Sequence, residues 1–198
     1  PTVTPIGDTK VSIGEDFKVN IVATSANSGA LNYTWSNDTK LGTVTMSGDE
    51  LTYQATREIG TDTVTVTIED ALNHKTSVVS FDVKVENTID PVIDAIDVQT
   101  AYTNQLSTFA VKAHTQTGST LDYKAKNRDG NLGQASMKGH QVEYRALGQT
   151  GTDTVTVTVT DTKYGNQTTQ TFVVNVMSNA PPTVTPIGDT KVSIGEDF

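Results

Sequence analysis

An eight-residue segment, GTDTVTVT, occurs twice in this 198-residue chain, at 60–67 and again at 151–158. In both copies valine alternates with threonine, and this period of two predicts a β-strand with one buried face and one hydroxyl-bearing face. The same shift of about 91 residues relates Tyr53 to Tyr144 and Asp70 to Asp161. We therefore expect two copies of one β-rich domain.

A second repeat has a longer period. The segment PTVTPIGDTKVSIGEDF at 182–198 repeats residues 1–17 without a single change, which gives an offset of 181 residues. That length suits two compact domains. We predict a domain A at 1–90, a domain B at 91–181 and, at 182–198, the opening strand segment of a repeated domain A. Such a short segment cannot bury a core alone, so we expect it to dock on another domain or to remain disordered.

Short apolar alternations separated by turn-forming residues run through both domains, a pattern typical of all-β sandwiches. We predict about seven strands in each domain. In domain A they are centred on 10–13, 17–23, 31–35, 43–46, 51–55, 64–68 and 81–85. Domain B repeats this pattern.

The order of these motifs resembles the immunoglobulin-like and cadherin-like tandem repeats of large bacterial surface adhesins. The residues that carry the resemblance are L-x-Y-x-W at 31–35, L-G-T-V-T at 41–45, L-T-Y-x-A at 51–55 and GTDTVTVTI-x-D at 60–70. The resemblance implies tandem immunoglobulin-like β-sandwich domains in an extended rod at the cell surface. It also implies that Trp35 is the buried tryptophan of the third strand, with Ala125 in its place in domain B.

Composition narrows the functional classes. The absence of cysteine excludes disulfides and thiolate metal sites, and no apolar run reaches the roughly 18–20 residues that span a bilayer. Domain A carries six Lys and Arg against thirteen Asp and Glu, net −7, whereas domain B has seven of each and the tail has net −2, giving −9 in all. We expect no nucleic-acid partner for this surface.

Catalysis is not expected. The three histidines, His74, His114 and His140, fall in different predicted loops, and no nucleophile, metalloprotease or phosphate-binding motif is present. We therefore predict that the chain is not an enzyme.

One acidic group could bind a metal ion. In a sandwich of this topology two loops and the end of the last strand meet at one pole, next to the junction between domains A and B. Hard oxygen ligands there could hold calcium, as the junctions of cadherin-like repeats do. The predicted ligands are Glu15, Asp16, Asp62, Glu86, Asn87 and Asp90. The alternative is that these are solubilising loop carboxylates.

Domain B provides an internal comparison. A simple offset aligns Glu15 and Asp16 with Asn104 and Gln105, and Glu86 with Met177, so only the A-to-B junction is expected to chelate. Asp62 shares its G-T-D-T segment with Asp153 and is expected to hydrogen-bond within its own loop. Asp70 and Asp161, each at the end of a strand, are expected to start turns.

The resulting functional hypothesis is structural: extension repeats, acting as a stalk or spacer, of a long extracellular adhesin or surface-fibre protein. The expected partners are neighbouring repeats and a distal adhesive domain elsewhere in the protein. Two alternatives remain. One is a self-assembling filament in which residues 182–198 add head to tail to another copy as a strand. The other is a module that binds carbohydrate or protein.

Overall fold

The computed structural model describes residues 1–195 and consists of β-strands joined by turns. Nine strands lie within residues 1–90. They are β1 (Thr2–Val3), β2 (Thr9–Ser12), β3 (Asp16–Asn20), β4 (Ala23–Thr24), β5 (Leu31–Asn37), β6 (Gly42–Ser47), β7 (Glu50–Ala55), β8 (Gly60–Asp70) and β9 (Thr76–Glu86).

Seven of these strands form two facing sheets. One sheet has the order β2-β9-β8-β5 and the other has the order β3-β7-β6, while β1 and β4 form a short separate pair. Strand β2 runs parallel to β9, and the other pairs are antiparallel. Val64, Val66 and Ile68 of β8 are fully buried, as the alternation predicts. The predicted fold class, an all-β immunoglobulin-like sandwich, is confirmed.

Residues 91–177 repeat this arrangement. Their strands are β10 (Val92–Ile93), β11 (Gln99–Tyr102), β12 (Leu106–Ala110), β13 (Ala113–His114), β14 (Leu121–Asn127), β15 (Gly133–Lys138), β16 (Gln141–Ala146), β17 (Gly151–Asp161) and β18 (Gln167–Met177). The sheets have the orders β11-β18-β17-β14 and β12-β16-β15, with β10 paired to β13. We call the two halves the first and second sandwich.

The two sandwiches are not related by one constant offset. Strands β5 and β14 differ by 90 residues, because one begins at Leu31 and the other at Leu121, whereas β6 and β15 differ by 91, from Gly42 to Gly133. One extra residue in the loop between β14 and β15 accounts for the change. The chain divides into two compact units, the first comprising Pro1–Asp90 with Thr115–Ser119 and Asp161–Asn166.

The prediction that Trp35 is buried is wrong. Its side chain is 42% exposed, because β5 is the edge strand of its sheet and the indole lies at the open side of the sandwich. The indole Nε1 donates a hydrogen bond to the carbonyl of Val44 on β6, the edge strand of the other sheet, at 2.9 Å. Trp35 therefore joins two sheet edges, and the centre of the core is filled by Tyr53, which is fully buried.

Residues 182–195 form no strand, so the opening strands predicted for this segment are not formed in the described residues. Val184, Ile187 and Ile194 are 84%, 88% and 108% exposed. Their identical counterparts in the first sandwich pack against its core because β1 pairs with β4 and β2 pairs with β9. The rest of the predicted segment, residues 196–198, lies outside the described residues.

Candidate functional site

Each sandwich has two buried aspartates on its longest strand. Asp62 and Asp70 are the third and last residues of β8 and are 0% and 1% exposed, and Asp153 and Asp161 occupy the same places on β17 at 2% and 0%. A buried carboxylate is costly unless hydrogen bonds replace its water. Each of these four carboxylates therefore needs hydrogen-bond donors from its surroundings.

Asp62 connects the two sheets of the first sandwich. Its carboxylate accepts hydrogen bonds from the Tyr53 hydroxyl at 3.0 Å, from Asn37 Nδ2 at 2.6 Å and from the Thr39 backbone N–H at 3.0 Å. Tyr53 belongs to the three-stranded sheet and Asp62 to the four-stranded one. The prediction that Asp62 bonds within its own loop is therefore wrong, because the donors come from β5, from β7 and from the loop after β5.

Asp153 makes the same connection in the second sandwich. It accepts hydrogen bonds from the Tyr144 hydroxyl at 2.9 Å, from Asn127 Nδ2 at 3.1 Å and from the Asp129 backbone N–H at 2.9 Å. The tyrosine, asparagine and aspartate of the first sandwich thus recur with the same bonds. We call each set, Asn37, Tyr53 and Asp62 or Asn127, Tyr144 and Asp153, a buried Tyr-Asp-Asn network.

Electrostatics keep this network in one charge state. Burial alone would raise the pKa of Asp62, but the hydrogen bonds from Asn37, Thr39 and Tyr53 outweigh burial and hold that pKa below its usual value. Burial, together with the hydrogen bond to the Asp62 carboxylate, raises the pKa of Tyr53 well above that of a free phenol. At neutral pH the carboxylate is charged and the phenol is neutral, which suits a fixed structural bond.

A glycine makes room for the tyrosine in each network. A Cβ atom at Gly42 would lie 2.2 Å from Tyr53 Cζ, and one at Gly133 would lie 2.4 Å from Tyr144 Cζ. Real Cβ atoms do not approach ring carbons this closely, so each position requires glycine. In the sequence, the contact between glycine and tyrosine is marked by a Leu-Gly pair that recurs at 41–42 and 132–133.

The second aspartate of each pair holds a turn, as predicted. Asp70 accepts hydrogen bonds from the Leu72 backbone N–H at 2.9 Å and from Ser25 Oγ at 2.5 Å. Asp161 likewise accepts from the Lys163 backbone N–H at 3.0 Å and from Thr117 Oγ1 at 2.6 Å. The hydroxyl donors tie a second loop to the turn, which the sequence did not reveal.

Acid is expected to destabilise the fold through these groups. The bond from Ser25 lowers the pKa of Asp70. Burial alone would raise the pKa of Asp161, but its hydrogen bonds, of which the one from Thr117 is the strongest, together outweigh burial, so both pKa values lie below normal, as that of Asp62 does. A lowered carboxyl pKa stabilises the fold above the unfolded pKa of about 3.9, and this stability is lost as pH falls through the folded value. Thermal melting should show a midpoint that is steady above about pH 5 and falls below about pH 4. A midpoint unchanged down to about pH 2 would contradict this expectation.

Three of the predicted calcium ligands do lie together. Glu15, Asp16 and Glu86 line one surface depression, because the backbone of this pole is joined by bonds from Ile13 N–H to the Glu86 carbonyl and from Ala55 N–H to the Glu15 carbonyl. The other three predicted ligands are placed differently. Asp62 is buried in its network, the Asn87 side chain bonds the backbone of Ile89, and Asp90 is exposed.

Lysines already accompany the acids in this depression. Lys84 and Lys10 place their ammonium groups 3.1 Å and 3.6 Å from Glu86, and the bond from Lys84 is the main reason that the pKa of Glu86 is lowered. Within residues 1–195, no group of three or more His, Asp or Glu side chains is arranged to hold a metal ion. Calcium binding stays a prediction.

The corresponding pole of the second sandwich is apolar, and the simple offset aligned it incorrectly. Gly14 and Asn104 both have positive φ values, 74° and 60°, so Glu15 corresponds to Gln105 and Asp16 corresponds to Leu106. Register pairs Ser12 with Glu86 and Tyr102 with Met177, which confirms the alignment of Glu86 with Met177. The sequence comparison therefore missed that an acid is replaced by leucine at this pole.

Comparisons with known proteins give no family. No protein-family model and no curated protein matches the chain. Within residues 1–195 the structure has no helix that could cross a membrane.

Solved structures with a similar arrangement exist at low sequence identity. The titin domains Z1Z2 in complex with telethonin are 14% identical, with a TM-score of 0.48 over 90% of this chain and 97% of that one. The Clostridium thermocellum CbhA fibronectin(III)-like modules are 13% identical, with a TM-score of 0.39 over 94% and 99%. The protocadherin GammaB4 extracellular domain is 17% identical, with a TM-score of 0.44 over 89% and 34%.

This chain also matches an endo-fucoidan hydrolase of glycoside hydrolase family 107, at 14% identity and a TM-score of 0.36, but it spans only 28% of that protein's length. The fold assignment rests on the strand order and register described above. The chain is an all-β protein with repeated immunoglobulin-like sandwiches.

Proposed function

We propose that the chain is part of the extension region, the stalk or spacer, of a long extracellular bacterial adhesin or surface-fibre protein. The observation that carries the proposal is the repetition of residues 1–17 at 182–198. In the first sandwich these residues supply β1, β2 and the start of β3. The chain therefore carries two sandwiches followed by a segment whose sequence is the one that forms the opening strands of the first sandwich.

The internal construction of each sandwich supports this proposal. Each has its own hydrophobic core and its own buried Tyr-Asp-Asn network, so every added repeat contains the groups that stabilise it. Stability in such an array is approximately a sum over repeats and their nearest-neighbour contacts. The proposed partners are neighbouring repeats and a distal adhesive domain, and the proposed role involves no catalysis.

Location on the producing cell tests the proposal. Antibodies raised against the 198-residue chain should label intact, unpermeabilised cells, and external protease should remove the label. Fab fragments against the same chain should leave adhesion intact, whereas deletion of 181-residue units should shorten the reach of the adhesive end. Labelling only after permeabilisation, or adhesion blocked by these Fab fragments, would contradict a spacer role.

Strand exchange is a second candidate, because the apolar side chains of residues 182–195 are exposed while the same residues pack in or against the core of the first sandwich. Val11 and Ile13 are 7% and 6% exposed, whereas Val192 and Ile194 are 53% and 108% exposed. A strand displaced from one copy could be replaced by this segment of another. Light scattering at rising concentration should then show larger species only when residues 182–198 are present, and a monomer in both chains would exclude exchange.

Calcium binding would add stiffness to the proposed stalk. If Glu15, Asp16 and Glu86 bind calcium with the other predicted ligands, the ion must compete with Lys10 and Lys84. A ligand that binds only the folded state raises the melting midpoint. Melting in calcium and then in chelator should differ, and Glu86→Gln should remove the difference. Equal midpoints would exclude the site.

A further inference from the structure

The two sandwiches differ most in chemistry at their poles, although their strands correspond one to one. We call the end at which β9 or β18 finishes the exit pole, and the end at which β8 or β17 finishes the entry pole. At the exit pole of the second sandwich four side chains are exposed and apolar. They are Tyr102 at 44%, Leu106 at 46%, Leu147 at 38% and Met177 at 53% exposure, and we call them the apolar exit patch.

These four side chains belong to one region. Tyr102 lies opposite Met177 in the register of β11 and β18, and the Asn104 N–H donates to the Leu147 carbonyl at 3.1 Å. A tight turn, closed by a bond from Gln105 N–H to the Tyr102 carbonyl at 3.1 Å, connects Tyr102 to Leu106. In the first sandwich the counterparts of Tyr102, Leu106 and Met177 line a single depression.

Folding does not require an apolar surface at this pole. The first sandwich builds the same turn and the same strand pairs with polar residues. At the four matching positions it has Ser12, Asp16, Thr56 and Glu86. The apolar exit patch is therefore a property of the surface of the second sandwich, and exposed apolar groups gathered in this way mark contact surfaces.

The entry pole shows the opposite difference. In the first sandwich its two adjacent loops, joined by a bond from Ala71 N–H to the Ala30 carbonyl at 2.9 Å, expose apolar residues. These are Ala26, Ala30, Ala71 and Leu72, of which Leu72 is 67% exposed. The second sandwich has Gln116, Thr120, Thr162 and Lys163 at the matching positions. The apolar entry pole is thus specific to the first type of sandwich.

We infer that the apolar exit patch binds the entry pole of another sandwich of the first type, the one whose sequence begins at Pro182. Only residues 178–181 separate Met177 from this segment, a reach of about 14 Å when extended. A sandwich completed from there is held next to the patch by a short linker, and its entry pole carries the apolar loops. The contact buries apolar surface of both partners.

This inference rests on the proposed array, and its test is independent of cellular location. The chain is extended after Phe198 by a copy of residues 18–90, which completes the further sandwich. Peroxide oxidises exposed methionine to the sulfoxide, and the rate at Met177 is followed by peptide mapping, with Met137 as the internal reference because the added copy does not contain it. We expect Met177 to react at least about fivefold more slowly in the extended chain than in the 198-residue chain.

Two matched variants distinguish specific docking from non-specific shielding of Met177 by a sandwich that is merely tethered nearby. Leu72→Lys in the added copy introduces the residue that the second sandwich has at this position, and it should restore the faster oxidation. The triple variant Tyr102→Ser, Leu106→Asp, Leu147→Thr introduces the residues that the first sandwich has at these positions and keeps Met177 as the reporter. It should also restore the faster oxidation of Met177. Equal rates with and without the added copy, or protection that survives both variants, would overturn the inference.

Discussion

Gly42→Ala is expected to destabilise the first sandwich by about 3 kcal/mol or more, because the new methyl group cannot share space with the Tyr53 ring. The Cβ would lie 2.2 Å from Cζ and 2.7 Å from the hydroxyl oxygen. The ring is fully buried, so it can move only by disturbing the core and stretching its bond to Asp62. Denaturant unfolding followed by tryptophan fluorescence measures the loss, because the only tryptophan, Trp35, is in this sandwich.

The second sandwich and an open glycine provide controls. Gly133→Ala should destabilise the second sandwich, because the added Cβ would overlap the Tyr144 ring. The unfolding transition seen by tryptophan fluorescence should not change, so the loss of stability in the second sandwich must be measured by circular dichroism. Gly7→Ala, at a position with nothing within 4 Å of the added Cβ, should change little. A Gly42→Ala chain that unfolds at the wild-type denaturant concentration would show that Tyr53 is not held against this glycine.

Asp62→Ala should also cost about 3 kcal/mol, because it removes the acceptor of the Tyr53 hydroxyl and one of two acceptors from both the Asn37 amide and the Thr39 N–H. The Tyr53 hydroxyl is buried, so it would lose its hydrogen bond without gaining water in exchange. For a domain of this size the loss corresponds to a fall in melting midpoint of roughly 15 °C. Thermal melting with tryptophan detection measures the shift.

Two further variants test whether the loss in Asp62→Ala comes from its hydrogen bonds. The double variant Asp62→Ala with Tyr53→Phe should recover part of the loss, since it removes one stranded hydroxyl together with its acceptor. Asp49→Ala, in an exposed turn, should be nearly neutral. If the Asp62→Ala and Asp49→Ala chains have the same melting midpoint, the network contributes little to stability.

The strands were predictable because their signal is local. Alternation placed Val64, Val66 and Ile68 on the buried face of β8, and burial confirms it. Trp35 was misplaced because the resemblance assigned it to a buried position on the third strand, and the sequence does not report whether that strand lies at a sheet edge. That position depends on pairing between residues distant in sequence.

The hydrogen-bond networks of the buried aspartates could be predicted only in part from the sequence. Asp62 and Asp70 have the same parity as Val64 along β8, so the alternation already places both carboxylates on the inward face. Their partners could not be read in this way, since Asn37 is 25 positions from Asp62 and Ser25 is 45 positions from Asp70. The poles were misaligned because Glu15 was aligned with Asn104, a shift of 89 residues, whereas the structure relates the strands before β15 by 90 residues and those from β15 onward by 91.

The parallel pairing of β2 with β9 also determines how a sandwich bears tension. Thr9, Lys10, Val11 and Ser12 lie in register with residues 83–86, and β11 is paired with β18 in the same way. When a sandwich is pulled by its two ends, β2 is drawn towards its start and β9 towards its finish, in opposite directions along one axis. The strands are loaded in shear, so the bonds between them must break together, whereas a hairpin pulled open loses its bonds one at a time.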